Sequence, residues 1–108
     1  MDVFDRIKRI LSEHDVVVFM KGLPDSPYCG FSAQLSALLT RGVVDFHGVD
    51  VLADEEIRSG IKEFSDWPTI PQLYVKGEFV GGCDIVTEMY QSGELAELLD
   101  QNNIQNHL

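Results

Sequence analysis

The sequence predicts an α/β fold, a four-stranded mixed sheet flanked by helices on both faces. Val16-Val17-Val18-Phe19-Met20 is a continuous apolar run rich in β-branched residues, the pattern of a strand buried on both faces. Helical and strand-like segments then alternate, and a strand-helix-strand unit gives parallel neighbours. Later, Leu73-Tyr74-Val75 and Glu78-Phe79-Val80 flank a tight Lys76-Gly77 turn, a hairpin signal that adds antiparallel strands. The 108 residues suit a single domain over 1–108.

Each element has its own signal. Val3, Phe4, Ile7, Ile10 and Leu11 recur at helical spacing behind Asp2, a ready N-cap. The buried strand Val16–Met20 follows. The stretch Lys21–Tyr28 holds Gly22, Pro24 and Pro27, which rule out regular structure there. Phe31, Leu35, Leu38 and Leu39 mark a second helix that stops near Gly42. Val43 to Val51 reads as a strand with an irregularity near Gly48. Asp54-Glu55-Glu56 caps a third helix and places negative charge at its positive end, with Ile57, Ile61 and Phe64 as the buried stripe. After the hairpin, Gly81-Gly82 leads into a helix with Val86, Met89 and Tyr90 that runs to Gly93. Leu95, Leu98 and Leu99 form a last short helix, and the Asn/Gln-rich tail, roughly 101–108, is expected to fray. This order of elements is that of the thioredoxin-like architecture.

Eight Lys and Arg against eighteen Asp and Glu give a formal net charge of -10. Nucleic-acid and anionic-membrane surfaces call for a basic face, so neither is an expected partner. No apolar stretch approaches the ~20 residues that span a bilayer. The two cysteines, Cys29 and Cys83, are too few for a disulfide framework, which points to a reducing compartment. They also cannot hold a zinc alone, and His14, His47 and His107 lack ligand spacing to them. The acidic start Met-Asp-Val-Phe-Asp carries no visible signal or transit peptide. The expected location is the cytoplasm, or an organelle matrix if a transit peptide has been removed.

Cys29 stands where the Pro-rich loop meets the second helix. Unpaired backbone N–H groups and the positive end of the helix dipole favour a thiolate there, and Lys21 could add positive charge. The alternative, a small inert buried cysteine, fits that turn-rich approach less well. In Cys29-Gly30-Phe31-Ser32, Ser32 occupies the position where a Cys-x-x-Cys pair has its second thiol, and serine cannot resolve a mixed disulfide. A lone thiolate suits monothiol exchange, or a metal centre completed by outside ligands.

Five blocks in order then carry a resemblance: Met20-Lys21-Gly22, Pro24 with Pro27, Cys29-Gly30-Phe31-Ser32, Trp67-Pro68-Thr69-Ile70-Pro71-Gln72, and Gly81-Gly82-Cys83-Asp84. From about Val3 to Leu99 the chain resembles the monothiol glutaredoxins of the CGFS type. The resemblance implies a thioredoxin fold that binds glutathione non-covalently. It further implies a homodimer sharing one [2Fe-2S] cluster, held by one cysteine of each subunit and the thiols of two glutathiones. Cys29 would be this chain's only cluster ligand. Lys21 matches the lysine near the thiol, and Arg58 matches the arginine that meets the glycine carboxylate, a task suited to its fork. Ile70 would offer backbone hydrogen bonds to the cysteinyl part, beside a cis-proline at Pro71. Cys83 and Asp84 would receive the γ-glutamyl end, by backbone N–H and by carboxylate respectively. Iron–sulfur acceptor proteins and a BolA-like protein are the implied partners.

Some readings stay open at this level. Cys83 could be a resolving thiol, a backbone neighbour of glutathione or a buried hydrophobe, and the second is favoured. Arg58 and Lys62, four apart on one helix face, could instead be solvated partners of Glu55, Asp54 or Glu63. Trp67 reads as a packing residue beside Pro68. Gly81-Gly82 could serve only to allow unusual backbone angles. As for activity, the reading is mainly a cluster carrier with at most weak glutathione-dependent oxidoreductase turnover, and deglutathionylation is the alternative.

Overall fold

The computed structural model describes residues 2–108. The elements run α1 (Val3–Glu13), β1 (Val16–Met20), β2 (Gly22–Leu23), β3 (Ser26–Pro27), α2 (Gly30–Arg41), β4 (His47–Asp50), α3 (Glu55–Ser65), β5 (Gln72–Val75), β6 (Glu78–Gly81), α4 (Cys83–Ser92) and α5 (Glu94–Gln101). The main sheet has the order β4-β1-β5-β6, with β1 parallel to β4 and antiparallel to β5, and β5 antiparallel to β6. This is the thioredoxin-like arrangement that the order of elements predicts.

All five residues of β1 are buried, because each face of the sheet has its own core. Val16, Val18 and Met20 pack with Leu35 and Leu39 of α2, Val86 of α4 and Leu95 and Leu99 of α5. Val17 and Phe19 point the other way, to Ile7 and Leu11 of α1, Ile57 and Ile61 of α3, and Tyr74. Burying each such side chain fully contributes ~1.5–3 kcal/mol, so a strand with no polar face is what this sandwich selects.

The expected caps form. Asp2 accepts a hydrogen bond from Asp5 N–H at 3.0 Å, and Asp54 from Ile57 N–H at 3.2 Å. Asp54 also pairs with Arg6, tying α1 to α3. Gly93 ends α4 in the left-handed region at φ 87, as a C′ glycine does.

Four local expectations are corrected. The loop after β1 is not wholly irregular: Gly22 and Leu23 pair with Pro27 and Ser26 as a two-residue ribbon. Gly22 makes this possible, since at φ +87 a Cβ would lie 2.5 Å from the Ser26 carbonyl oxygen. The strand read over Val43–Val51 is shorter, because Val43 takes φ 56 just after α2 and pairing starts only at His47. Gly48 is regular, in register with Val18, and its lack of a side chain makes room for Pro24, 2.7 Å from where a Cβ would stand. The tail does not fray: Ile104 is buried in the core, and His107 N–H donates to the Gly42 carbonyl. An apolar residue after the last helix, rather than the polar composition around it, decides that packing.

Candidate functional site

Cys29 is the N-cap of α2, in extended conformation and with no side-chain cap bond of its own. Its sulfur makes no cap bond of normal geometry, yet lies close enough to the first-turn amides for them to favour its charged form. The Ser32 N–H, the largest of these influences, holds the thiol below its ordinary pKa. Partial burial opposes this, while the Phe31 N–H, the Ser32 hydroxyl and the charge of Lys21 assist. Cys29 is partly exposed. The result is a solvent-reachable thiol with more thiolate character than an ordinary cysteine.

Ser32 is fully buried, and its hydroxyl accepts from the Lys21 N–H at 3.1 Å. One residue on, the Gly22 N–H donates to Asp50 Oδ1 at 2.9 Å, and the same oxygen accepts from Leu52 N–H. Tyr28 N–H closes the loop by donating to the Lys21 carbonyl at 3.0 Å. Consecutive amides at the end of β1 are thus pinned to α2 on one side and to β4 on the other. This fixes where the loop delivers Cys29. Neither Ser32 nor Asp50 was singled out in this role from the sequence, although a serine three residues into a helix that opens on cysteine is a visible hint.

A cleft of ≈ 230 Å³ lies on the side of Cys83, whose thiol is near enough to Cys29 to feel its charge, although Cys29 itself is not among the lining residues. Its walls come from Phe31 of α2, from Trp67, Thr69, Ile70 and Pro71 ahead of β5, and from Gly82 to Ile85 at the start of α4. The Ile70–Pro71 bond is cis, as the family resemblance implied. Gln72 organises this wall. It is fully buried, and its amide donates to the Trp67 and Thr69 carbonyls at 3.1 and 3.2 Å while its oxygen accepts from Tyr74 OH. A polar residue opening the apolar strand Leu73-Tyr74-Val75 was the available signal for it.

Of the residues picked from sequence, Ile70, Cys83 and Asp84 line the cleft together. Lys21 acts on the Cys29 thiol through its charge. Arg58 lies outside the lining residues and sits 3.9 Å from Glu55 on its own helix, the weak pairing of an exposed i,i+3 contact. Cys83 is buried, and burial pushes its thiol up from the ordinary value, so it is the poorer nucleophile of the two. Phe31, one of the apolar residues that mark the second helix, is 59% exposed and forms a wall of the cleft. Trp67, Thr69 and Gly82 join it there.

The sequence profile of the family described as Glutaredoxin matches residues 16–80, which include both Cys29 and the Ile70–Pro71 turn. This chain belongs to the glutaredoxin family. It is 55% identical over 95 residues to the uncharacterized monothiol glutaredoxin ycf64-like of Synechocystis sp., covering 88% of this chain and 89% of that one. It is 50% identical over 97 residues to monothiol glutaredoxin-S17 of Arabidopsis thaliana, covering 90% of this chain. The chain spans only 20% of that plant protein's length and 39% of monothiol glutaredoxin-4 of Schizosaccharomyces pombe. Among solved structures, a monomeric truncated mutant of Trypanosoma brucei 1-C-Grx1 superposes with a TM-score of 0.89 at 44% identity, over 100% of this chain and 97% of that one. The monothiol designation of these relatives fits a glutaredoxin in which Ser32 faces inward three residues after its single exposed thiol.

Proposed function

We propose that this glutaredoxin binds glutathione in the cleft between Ile70–Pro71 and the α4 N-terminus, and carries a [2Fe-2S] cluster for delivery to iron–sulfur acceptor proteins. The reading is supported by the Cys29 thiol, which opens α2 with its pKa held low and lies near enough to Cys83 of the cleft wall for their charges to interact, with no second thiol beside it in α2. Among the described residues no three His, Cys, Asp or Glu side chains come together as a metal site. Cys29 is the ligand that the resemblance to monothiol glutaredoxins assigns to this chain, with the remaining thiols coming from glutathione and a second copy; a BolA-like protein would replace that copy in a heterodimer. The cluster is cargo. Partly held by exchangeable small thiols, it suits transfer.

Within that reading the chain's residues divide the work. The Ile70 backbone aligns the cysteinyl part of glutathione as a strand would. The α4 N-terminus receives the γ-glutamyl carboxylate through the Cys83 N–H, and the Asp84 carboxylate pairs with the γ-glutamyl ammonium. Arg58 meets the glycine carboxylate, for which it must leave Glu55, a weak partner at 3.9 Å. Lys21 holds negative charge at the thiols. Anaerobic reconstitution with iron, sulfide and glutathione tests the proposal. A coloured dimer that becomes a colourless monomer in Cys29→Ser supports it, and a cluster that survives that substitution removes it. No helix among the described residues is long and apolar enough to cross a membrane, and the proposed site of action is the cytoplasm or an organelle matrix.

The lowered thiol pKa favours a second reading, deglutathionylation. Here the Cys29 thiolate attacks the glutathionyl sulfur of a mixed disulfide and expels the protein thiolate. A second glutathione thiolate then attacks the new disulfide, releasing oxidised glutathione and regenerating Cys29. Turnover coupled to glutathione reductase is expected to be slow, and fast turnover lost in Cys29→Ser would reverse the ranking.

A further inference from the structure

Trp67 does pack, as its sequence context predicts: its ring lies 5.8 Å from that of Phe79. Packing leaves one atom unexplained. The indole Nε1 is buried and has no hydrogen-bond partner among the described residues. An unpaired buried N–H costs ~1–3 kcal/mol, and native proteins rarely keep one without a use for it.

Its position suggests the use. A Cβ added to Gly82 would stand 3.3 Å from Trp67 Nε1 and 3.3 Å from the Pro71 carbonyl oxygen. Gly82 has φ -92 and ψ -167, an extended backbone open to any residue, so conformation does not demand glycine here. Space does. Gly82 is also the N-cap of α4 and, with no side chain, supplies no cap bond. The first amides of α4 therefore lack an intrahelical acceptor, and the indole N–H stands at the same end of the same cleft, behind the residue that has no side chain to block it.

Resting on the glutathione reading above, we propose that Trp67 is a positioning residue: its Nε1–H donates, past Gly82, to the γ-glutamyl carboxylate at the N-terminus of α4. A small tilt of the indole toward the ligand makes the bond, and the bare Gly82 backbone leaves room for it. The ring becomes a side-chain donor in a subsite otherwise built from backbone amides. It would make the cleft select ligands that carry the γ-glutamyl carboxylate over those that end at the cysteine.

The test compares reduced glutathione with cysteinylglycine, which lacks the γ-glutamyl group, on the wild-type chain and on Trp67→Phe. Phenylalanine keeps an aromatic ring and removes the N–H. Calorimetry should show glutathione binding weakened about tenfold or more in Trp67→Phe, the scale of one lost charge-assisted hydrogen bond, with cysteinylglycine binding unchanged. In the wild-type chain the indole N–H proton resonance should move downfield on adding glutathione and stay in place with cysteinylglycine. That second measurement decides the matter if Trp67→Phe fails to fold. Glutathione binding to the wild-type chain with an unmoved resonance overturns this role for Trp67 and leaves the functional reading standing, as does a resonance that responds equally to both ligands. A wild-type chain that binds no glutathione overturns the functional reading itself.

Discussion

The buried hydroxyl of Ser32 accepts the backbone N–H of Lys21 at 3.1 Å, joining the end of the central strand to the first turn of the helix that Cys29 opens. The same hydroxyl helps to hold the Cys29 thiol below its ordinary pKa. Ser32→Ala should therefore have two effects. Stability falls by about 1–3 kcal/mol, because the Lys21 amide loses its partner in a shielded place. The Cys29 pKa rises only part of the way, because the Ser32 and Phe31 amides, of which the first is the larger influence, survive the substitution. Denaturant titration and the pH dependence of iodoacetamide alkylation measure the two effects, and an unchanged unfolding midpoint would refute the structural half.

The two thiols should separate cleanly in a labelling experiment. Cys29 is partly exposed and its thiol is held down by amide hydrogen bonds, whereas Cys83 is buried and its thiol is pushed up by that burial. At neutral pH, one equivalent of iodoacetamide should modify Cys29 almost alone, with Cys83 reacting only in denaturant. Peptide mass spectrometry reads the result. Equal labelling of both sites in the native chain would contradict the geometry.

Outside the cleft lining, the His14 and His47 rings stack at 3.9 Å with 9° between their planes. Although His47 is exposed, partial desolvation of its ring holds its pKa below the ordinary 6.5, the neighbouring His14 adds to this, and Glu13 opposes it. The folded chain thus prefers neutral His47, and between its lowered pKa and about 6.5 the unfolded chain binds more protons. The contribution to stability is complete above that window and is lost as pH falls through the folded value. His47→Gln should flatten this part of the curve. Unfolding midpoints measured across the window in both proteins check it, and two parallel curves would show that His47 plays no part.

Ile104 closes the core formed with Val16, Leu38 and Leu99 although it lies beyond the last helix. Ile104→Ala should cost about 2 kcal/mol or more, the scale for removing a buried aliphatic side chain. Gln105→Ala, at an exposed neighbour, should cost little. Comparing the two denaturation midpoints separates a docked tail from a frayed one.

Much of this was legible in advance because the decisive residues act locally. Asp2 and Asp54 cap helices within three residues of themselves, the Lys76-Gly77 turn sets its own hairpin, and the run Val16–Met20 announces a two-sided core. Cys29 was legible for the same reason, since its environment is the turn that it begins. What stayed hidden depends on partners distant in sequence. Asp50 reaches back 28 positions to Gly22, and the Trp67 indole is explained only by Gly82. Composition also misled: a tail rich in Asn and Gln reads as solvent-loving, yet one isoleucine in it decides where it sits.

Trp67 is the sole tryptophan in the chain, and it stands in the wall of the cleft. Its fluorescence therefore comes from a single place, undiluted by other indoles. A ligand, a bound cluster or a partner arriving at that mouth should register as a change in colour or brightness, so the molecule carries a built-in gauge of its own occupancy.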